Sequence, residues 1–221
     1  MHLTLRAKKT SRVNKTKSKI ISAALKLFNR DGLVNVRLQH IADEAFVSVG
    51  NLAYHYPNKE AILKTIYEDL TKKQNELMTE YRIVPLFENI DRLFLHTFEL
   101  QQTYIFFYLD TLEILRAYPS IGETHRTRIQ TQIIQIKNIL DFNVSRAALI
   151  VEPMENTYEK LAAQIWMSID FYLIQHAVSA KEKIEVANFR SAIWNLFIPY
   201  FTKMGKQEYQ QMLKNPYKFY F

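Results

Sequence analysis

The chain has 221 residues, 48% of them hydrophobic and 23% charged, an ordinary globular composition that argues against a disordered or fibrous protein. It contains no cysteine, which excludes disulfides, thiolate metal sites and cysteine nucleophiles. Four glycines and six prolines are too few for the many tight turns of an all-β sandwich or for a glycine-looped nucleotide fold, and the formal net charge is +7.

The charge is concentrated at one end of the chain. Residues 1–60 carry 11 basic and 4 acidic side chains, whereas residues 61–221 carry 18 of each. This asymmetry predicts an anionic partner, either nucleic acid or a membrane surface. No apolar run is long enough to span a bilayer and residues 1–14 lack the apolar stretch of a signal peptide, so we expect a cytoplasmic protein.

The first 14 residues form a predicted basic, flexible arm. Its basic side chains are Arg6, Lys8, Lys9 and Arg12. Two interpretations stay open for this segment: it lies along a minor groove of DNA, or it is a disordered leader with no role in binding.

A first helix follows the arm. Thr16 or Ser18 can cap it, and four apolar residues then recur with helical spacing: Ile20, Ala24, Leu27 and Phe28. Gly32 is placed to end this helix in a left-handed conformation.

Three more helices come next, the first two of them short. The second is predicted from Arg37 to Ala45, and the third from Val49 to His55 with Ser48 as its N-cap. Asn58 caps a fourth helix. Two short helices joined by a tight turn form a helix-turn-helix, a motif that places its second helix in the major groove of DNA.

The residues from Gln39 to Leu63 resemble the DNA-binding domain of the TetR/AcrR (tetracycline-repressor) family. The resemblance rests on small Ala42 and Gly50, on Leu52, and on the stretch Tyr54-His55-Tyr56-Pro57 ahead of Lys59-Glu60. With the first helix, it covers roughly residues 16–66. It implies an all-α fold with an N-terminal three-helix helix-turn-helix domain (15–60), followed by a larger helical bundle for ligand binding and dimerisation (61–221).

Three positions depart from the family pattern. Phe46 stands where the family has a turn glycine, so the turn either tolerates a non-glycine residue or is reshaped. Arg37 replaces the hydroxyl cap of the second helix, with Asn35 as a candidate substitute, and Ala53 replaces a frequent tyrosine.

Eight residues in and around the third helix are predicted to contact DNA: Gln39, Ser48, Val49, Gly50, Asn51, Tyr54, His55 and Lys59. Gly50 would let the backbone approach a phosphate, Val49 can touch a thymine methyl group, and Asn51 suits bidentate recognition of adenine.

The remaining predicted contacts are backbone contacts or flank the same groove. Tyr54 and His55 match the phosphate-contacting pair that the resemblance implies, and Lys59 would add a phosphate contact at the start of the fourth helix. Gln39 projects from the second helix toward the same groove.

The rest of the chain is predicted to form amphipathic helices over 58–80, 85–101, 104–118, 120–141, 155–178 and 184–204. The last two are apolar nearly all round, which indicates burial on both sides. The second burying surface is most simply another copy of the chain, so we predict a homodimer through 155–178 and 184–204. The aromatic tail Tyr209–Phe221 is predicted to dock on the bundle or on the partner subunit.

Aromatic residues concentrate in the middle helices, where the resemblance implies an inducer site. The candidate ligand-binding residues are Phe94, Phe98, Phe107, Tyr108, Asp110 and Trp166. An ordinary aromatic core is the alternative for each ring. No cofactor and no metal site is predicted, because no Glu-x-x-His pair, phosphate loop or hydrolase elbow occurs in the sequence.

These features predict a DNA-binding transcriptional regulator with no enzymatic activity, a ligand-inducible repressor that binds a palindromic operator as a homodimer. Three alternatives stay open: an architectural DNA-binding protein without an inducer, a helical-bundle enzyme, and a membrane-surface binder that uses the basic leader.

Overall fold

The computed structural model describes residues 2–179 and 184–214, with side chains from residue 14 onward. The helices are α1 (His2–Asp31), α2 (Leu38–Glu44), α3 (Val49–His55), α4 (Lys59–Tyr81), α5 (Phe87–Thr103), α6 (Ile105–Leu109), α7 (Thr111–Ala117), α8 (Pro119–Ser145), α9 (Thr157–Asp170), α10 (Tyr172–Ser179), α11 (Val186–Phe197) and α12 (Lys203–Lys214). The structure therefore confirms the all-α prediction. Among these helices, none combines the length and the apolar character that crossing a bilayer requires.

The chain folds into two compact units. The first unit comprises residues up to Lys72 together with Tyr104–Gly122, and the second comprises Lys73–Thr103 together with the described residues from Glu123 onward. This division differs from the predicted boundary between residues 60 and 61. The reason is that α6 packs on α1 in the first unit, where the Phe28 and Phe106 rings lie 5.3 Å apart.

The first unit is built around the apolar face of α1. The predicted stripe of Ile20, Ala24, Leu27 and Phe28 is 0–3% exposed, which confirms the helical spacing. Gly32 ends α1 with a φ of +77°, as its position in the sequence indicates.

Helix α1 begins earlier than the predicted cap at residues 16–18. Its backbone is helical from His2, so the segment predicted as a flexible arm continues the first helix. No glycine or proline interrupts the sequence between His2 and Asp31, which permits this continuation. The side chains of Arg6, Lys8, Lys9 and Arg12 lie outside the described part of the structure.

The second unit has an aromatic core centred on Trp194. Its indole lies 5.1 Å from the Phe87 ring, 5.2 Å from Phe197 and 5.1 Å from Tyr209. Tyr209 belongs to the segment predicted to dock, and residues 215–221 of that segment lie outside the described residues. Trp194 also donates to the buried Asp91 carboxylate.

Two more contacts of this unit matter for its stability. Asp91 is 1% exposed and pairs with the Arg190 guanidinium. Gly205 lies so close to the Ala148 carbonyl that an added Cβ would overlap with it.

Three predicted helices are shorter or broken. The helix predicted over 104–118 breaks at Asp110, where the Thr111 hydroxyl donates to the Phe107 carbonyl at 2.6 Å and competes with the helical backbone. The helix predicted over 155–178 breaks at Phe171, and the one predicted over 184–204 gives way at Phe197 to a 3-10 turn that contains Pro199.

Candidate nucleic-acid interface

The α2–α3 pair forms the predicted helix-turn-helix. Ile41 of α2 and Leu52 of α3 are fully buried, and α2 packs on both α1 and α3, so this packing fixes the orientation of α3. The Ser48 Oγ accepts from the Asn51 N–H at 3.2 Å, which confirms Ser48 as the N-cap. Asn58 caps α4 as predicted, since its Oδ1 accepts from the Ala61 N–H at 2.9 Å.

The turn between α2 and α3 keeps a glycine-type conformation without a glycine. Phe46 has a φ of +55°. Its N–H donates to the Asp43 carbonyl at 3.1 Å, and the Val47 N–H donates to the Ala42 carbonyl at 2.9 Å. These two hydrogen bonds form a Schellman motif with Phe46 at the position that usually holds glycine. The turn is therefore tolerated, not reshaped.

Helix α3 and its N-cap present five of the eight predicted DNA contacts on the exposed surface: Ser48, Val49, Gly50, Asn51 and Tyr54. The Tyr54 side chain is 80% exposed, and nothing lies within 4 Å of the position where a Gly50 Cβ would be. An exposed row of this kind above a buried Leu52 is suited to enter a groove.

Two other predicted contacts lie beside this row. His55 is half-buried, with its ring 5.1 Å from Tyr54 in an edge-to-face arrangement. Gln39 is exposed on α2, and one N–H of its amide donates to the Asp43 carboxylate at 2.8 Å, which leaves the second N–H and the Oε1 for a base.

Lys59 has a structural role that the sequence did not indicate. Its ammonium donates to the Leu33 carbonyl at 2.8 Å and to the Val36 carbonyl at 3.0 Å. Burial lowers the pKa of Lys59, an effect that the Glu113 carboxylate partly offsets. Lys59 therefore ties α4 to the loop between α1 and α2, and one of its three N–H groups is left for a phosphate.

The start of α2 is not capped by Asn35, the substitute that the sequence offered. Its amide donates to the Asp31 carbonyl at 2.8 Å, so it satisfies the end of α1 instead. At α2 the Arg37 N–H donates to the His40 Nδ1 at 3.3 Å. The sequence alone did not reveal this use of His40, because imidazole is an infrequent partner at a helix start.

A basic groove that sequence reasoning missed lies beside the turn. It has a volume of about 520 Å³, and its lining includes Lys15, Lys19, Lys26, Glu44 and Phe46. Lys26 pairs with Glu44 at 2.6 Å. The spacing of the three lysines along α1 was the signal available in the sequence.

The predicted ligand-binding residues are not brought together in one unit. Phe94, Phe98 and Trp166 belong to the second unit, and Phe107, Tyr108 and Asp110 belong to the first. In the second unit Phe98 is 8% exposed and packs 5.2 Å from Phe189, and Phe94 packs 5.6 Å from Trp194. The Trp166 indole donates to Gln132 at 3.2 Å.

The three residues in the first unit have structural contacts. Tyr108 is 2% exposed, and the Phe107 ring lies 5.2 Å from Tyr67. Asp110 accepts from the Leu33 N–H at 3.2 Å, so it supports the same loop as Lys59.

The second unit holds two polar groups in unusual surroundings. Gln101 is fully buried and its amide donates to the Ile169 carbonyl at 2.9 Å, but its Oε1 accepts no hydrogen bond within the described chain. Next to Ile169 in the sequence, burial raises the pKa of Asp170 to about 7, an effect that the Arg128 charge opposes. Within residues 14–179 and 184–214, no cluster of three metal-ligating side chains occurs.

Two family models match consecutive parts of the chain. One, described as "Bacterial regulatory proteins, tetR family", matches residues 20–66, and the other, described as "Bacterial transcriptional repressor", matches residues 63–209. The second match covers more than half of the chain. The chain belongs to the TetR family. This TetR-family protein is therefore a transcriptional regulator of the helix-turn-helix type, and the resemblance noted from residues 39–63 is confirmed.

The curated relatives match a short stretch of the chain. The HTH-type transcriptional regulator RutR of Escherichia coli (strain K12) is 44% identical over 55 residues, which are 25% of this chain and 26% of RutR. The match thus spans about a quarter of the length of the curated relatives.

Solved structures of similar proteins share the fold over nearly the whole chain. A TetR-family transcriptional regulator from Marinobacter aquaeolei VT8 is 22% identical, with a TM-score of 0.77 over 90% of this chain and 97% of the other. CprB from S. coelicolor is 17% identical, with a TM-score of 0.67 over 92% and 97% of the two chains. At these identities the similarity shows the fold of this TetR-family regulator.

Proposed function

We propose that this regulator is a ligand-inducible repressor that binds a palindromic operator as a homodimer. The main support for DNA binding is the set of exposed predicted contacts on α3, a helix that Ser48 caps and that the buried Leu52 anchors. The concentration of positive charge in residues 1–60 supports an anionic partner.

Base recognition is assigned to the exposed residues near the start of α3. The Asn51 amide suits bidentate hydrogen bonding to adenine, and the exposed Val49 suits contact with a thymine methyl group. Gly50 leaves room for close backbone approach. Tyr54 and His55 are assigned to phosphates, together with the remaining N–H of Lys59.

Exposed apolar residues in the second unit support a dimer. Met167 is 52% exposed, Phe171 is 41% exposed and Val178 is 84% exposed, all within the segment 155–178 that was predicted as an interface. Burial of such residues against a second copy of the chain would remove apolar surface from water. A symmetric dimer would place two α3 helices on half-sites roughly 34–36 Å apart.

An inducer site is assigned to the surroundings of Gln101 and Asp170 in the second unit. The Gln101 Oε1 has no donor within the described chain, and the Asp170 carboxyl is desolvated. A buried acceptor without a donor is filled by water or by a ligand. The predicted ligand contacts Phe94 and Phe98 belong to the same unit and stay candidates beside this site.

Selection of duplexes from a random pool tests the proposed function. We expect a palindrome with a fixed half-site spacing, and retention of nonspecific duplexes alone would contradict it and favour architectural binding. Asn51→Ala should relax the preference at one position at a cost of ~1–3 kcal/mol. Gln130→Ala, exposed in α8 of the second unit and outside the predicted interface segments, is the control and should leave the selected sequence unchanged.

A further inference from the structure

Phe46 combines two unfavourable features in the unbound protein. Its φ of +55° lies in the left-handed region, which a residue with a Cβ adopts at a cost. Its side chain is 91% exposed, so the ring gains no packing that offsets this cost. A residue held in such a conformation by two backbone hydrogen bonds is a candidate for a functional contact.

The location of Phe46 indicates what that contact would be. It lies two residues before Ser48, so the two Cα atoms are at most about 7 Å apart. Phe46 also lines the basic groove, together with Lys15 and Lys19. It is therefore close to the start of α3 along the chain and shares a groove with two exposed cationic side chains of α1.

We propose that Phe46, with Lys15 and Lys19, forms a second DNA contact, to the sugar–phosphate backbone beside the recognition helix. The lysines fit the charge of the phosphates, and the flat apolar ring fits the apolar face of a deoxyribose. Lys26 contributes less, since Glu44 already neutralises it at 2.6 Å. This inference rests on the proposed DNA-binding function.

Substitutions at Phe46 separate the ring from the backbone strain. Phe46→Gly removes both, and Phe46→Ala removes the ring while it keeps a Cβ in the left-handed conformation. Ala147→Gly is the matched control, because Ala147 is exposed, has a φ of +60° and lies in a similar turn at the end of α8 in the second unit.

Binding is measured with a duplex recovered from a random pool by the wild-type protein, and with an unrelated duplex of the same length. We expect Phe46→Gly and Phe46→Ala to weaken binding to the recovered duplex by about tenfold. Phe46→Gly and Ala147→Gly should both raise the melting temperature by roughly 2–4 °C. Ala147→Gly should bind DNA as tightly as the wild type.

The lysines are tested through salt dependence. The double variant Lys15→Ala/Lys19→Ala should reduce the slope of log K against log [salt] by about 1.8, the value for two phosphate contacts. An unchanged slope overturns the lysine contacts.

The outcomes distinguish this inference from the proposed function. If the wild type recovers no sequence and shows no salt-dependent binding to any duplex, both fail. If the wild type binds and both Phe46 variants bind equally tightly, only the second DNA contact is overturned. Loss of cooperative binding by a second dimer, with unchanged affinity for a single site, would also overturn it and assign Phe46 to a protein contact.

Discussion

The buried Asp91 carboxylate should be one of the most destabilising positions to truncate in the second unit. Asp91 is 1% exposed and accepts from the Arg190 Nε at 2.9 Å, from the Arg190 Nη2, and from the Trp194 indole N–H at 2.8 Å. Asp91→Ala removes these acceptor contacts at once. It removes the carboxylate that the Arg190 guanidinium and the buried Trp194 indole N–H both donate to.

The magnitude follows from what is left behind. Removing one partner of a buried ion pair costs about 3–5 kcal/mol, and an unsatisfied buried donor costs about 1–3 kcal/mol. The Arg190 side chain is 27% exposed, so water relieves part of its cost. We therefore expect Asp91→Ala to lower the free energy of unfolding by about 3–4 kcal/mol, and Asp91→Asn by about 2 kcal/mol because the amide keeps one acceptor.

Urea unfolding followed by tryptophan fluorescence measures this loss. The chain has two tryptophans, and Trp166 and Trp194 both belong to the second unit, so the signal reports the unit that is changed. Urea is preferred to guanidinium because it does not screen ion pairs. Lys137→Ala is the control: it removes an ion pair to Asp141 at 2.7 Å on the surface and should cost no more than ~0.5 kcal/mol. An Asp91→Ala variant as stable as this control would refute the reasoning.

Three further predictions concern other parts of the chain. Gly205→Ala should lower the free energy of unfolding in urea by about 3 kcal/mol, because its Cβ would overlap a carbonyl. Gly50→Ala has open space around the added Cβ, so it should raise that free energy by ~0.5–1 kcal/mol while it weakens DNA binding. Equal stabilities of the two variants would contradict both predictions. Lys59→Met should cost ~1–3 kcal/mol by circular dichroism through the lost loop hydrogen bonds, and wild-type stability would refute this. Burial lowers the pKa of His125 to about 4, so the stability contributed by neutral His125 is lost as the pH falls from 6.5 through 4. Burial raises the pKa of Asp170 to about 7, so the stability contributed by protonated Asp170 is lost as the pH rises through 7. The free energy of unfolding in urea, measured between pH 4 and 7, should therefore decrease with falling pH in Asp170→Asn, which keeps His125. It should increase with falling pH in His125→Gln, which keeps Asp170. Each change should be at most ~1.4 kcal/mol per pH unit, and parallel curves for the two variants would contradict the assignment.

The features that sequence predicts best are those determined by near neighbours along the chain. The spacing of Ile20 and Phe28, the cap at Ser48 and the left-handed Gly32 each depend on a few adjacent residues, and the structure confirms all of them. The exposed face of α3 follows in the same way from the burial of Leu52 within a short helix.

The features that sequence reasoning missed depend on contacts between distant residues. Lys59 reads as a surface cation, and only the fold brings its ammonium to the Leu33 carbonyl. Helix α9 ends at Asp170, next to the Ile169 carbonyl, which accepts a hydrogen bond from the Gln101 amide 68 residues away in the sequence. Aromatic content alone also does not distinguish Phe107, in the core of the first unit, from a residue that lines a ligand site.

The packing of α6 on α1 determines how this regulator can be recombined with its relatives. The family match to the DNA-binding part ends at residue 66, but the ring that covers Phe28 belongs to Phe106. A chimera spliced at that match boundary would present Phe28 with a foreign side chain, and Leu33 would lose the Asp110 carboxylate. A chimera of altered operator preference should therefore carry residues 104–122 along with the N-terminal segment.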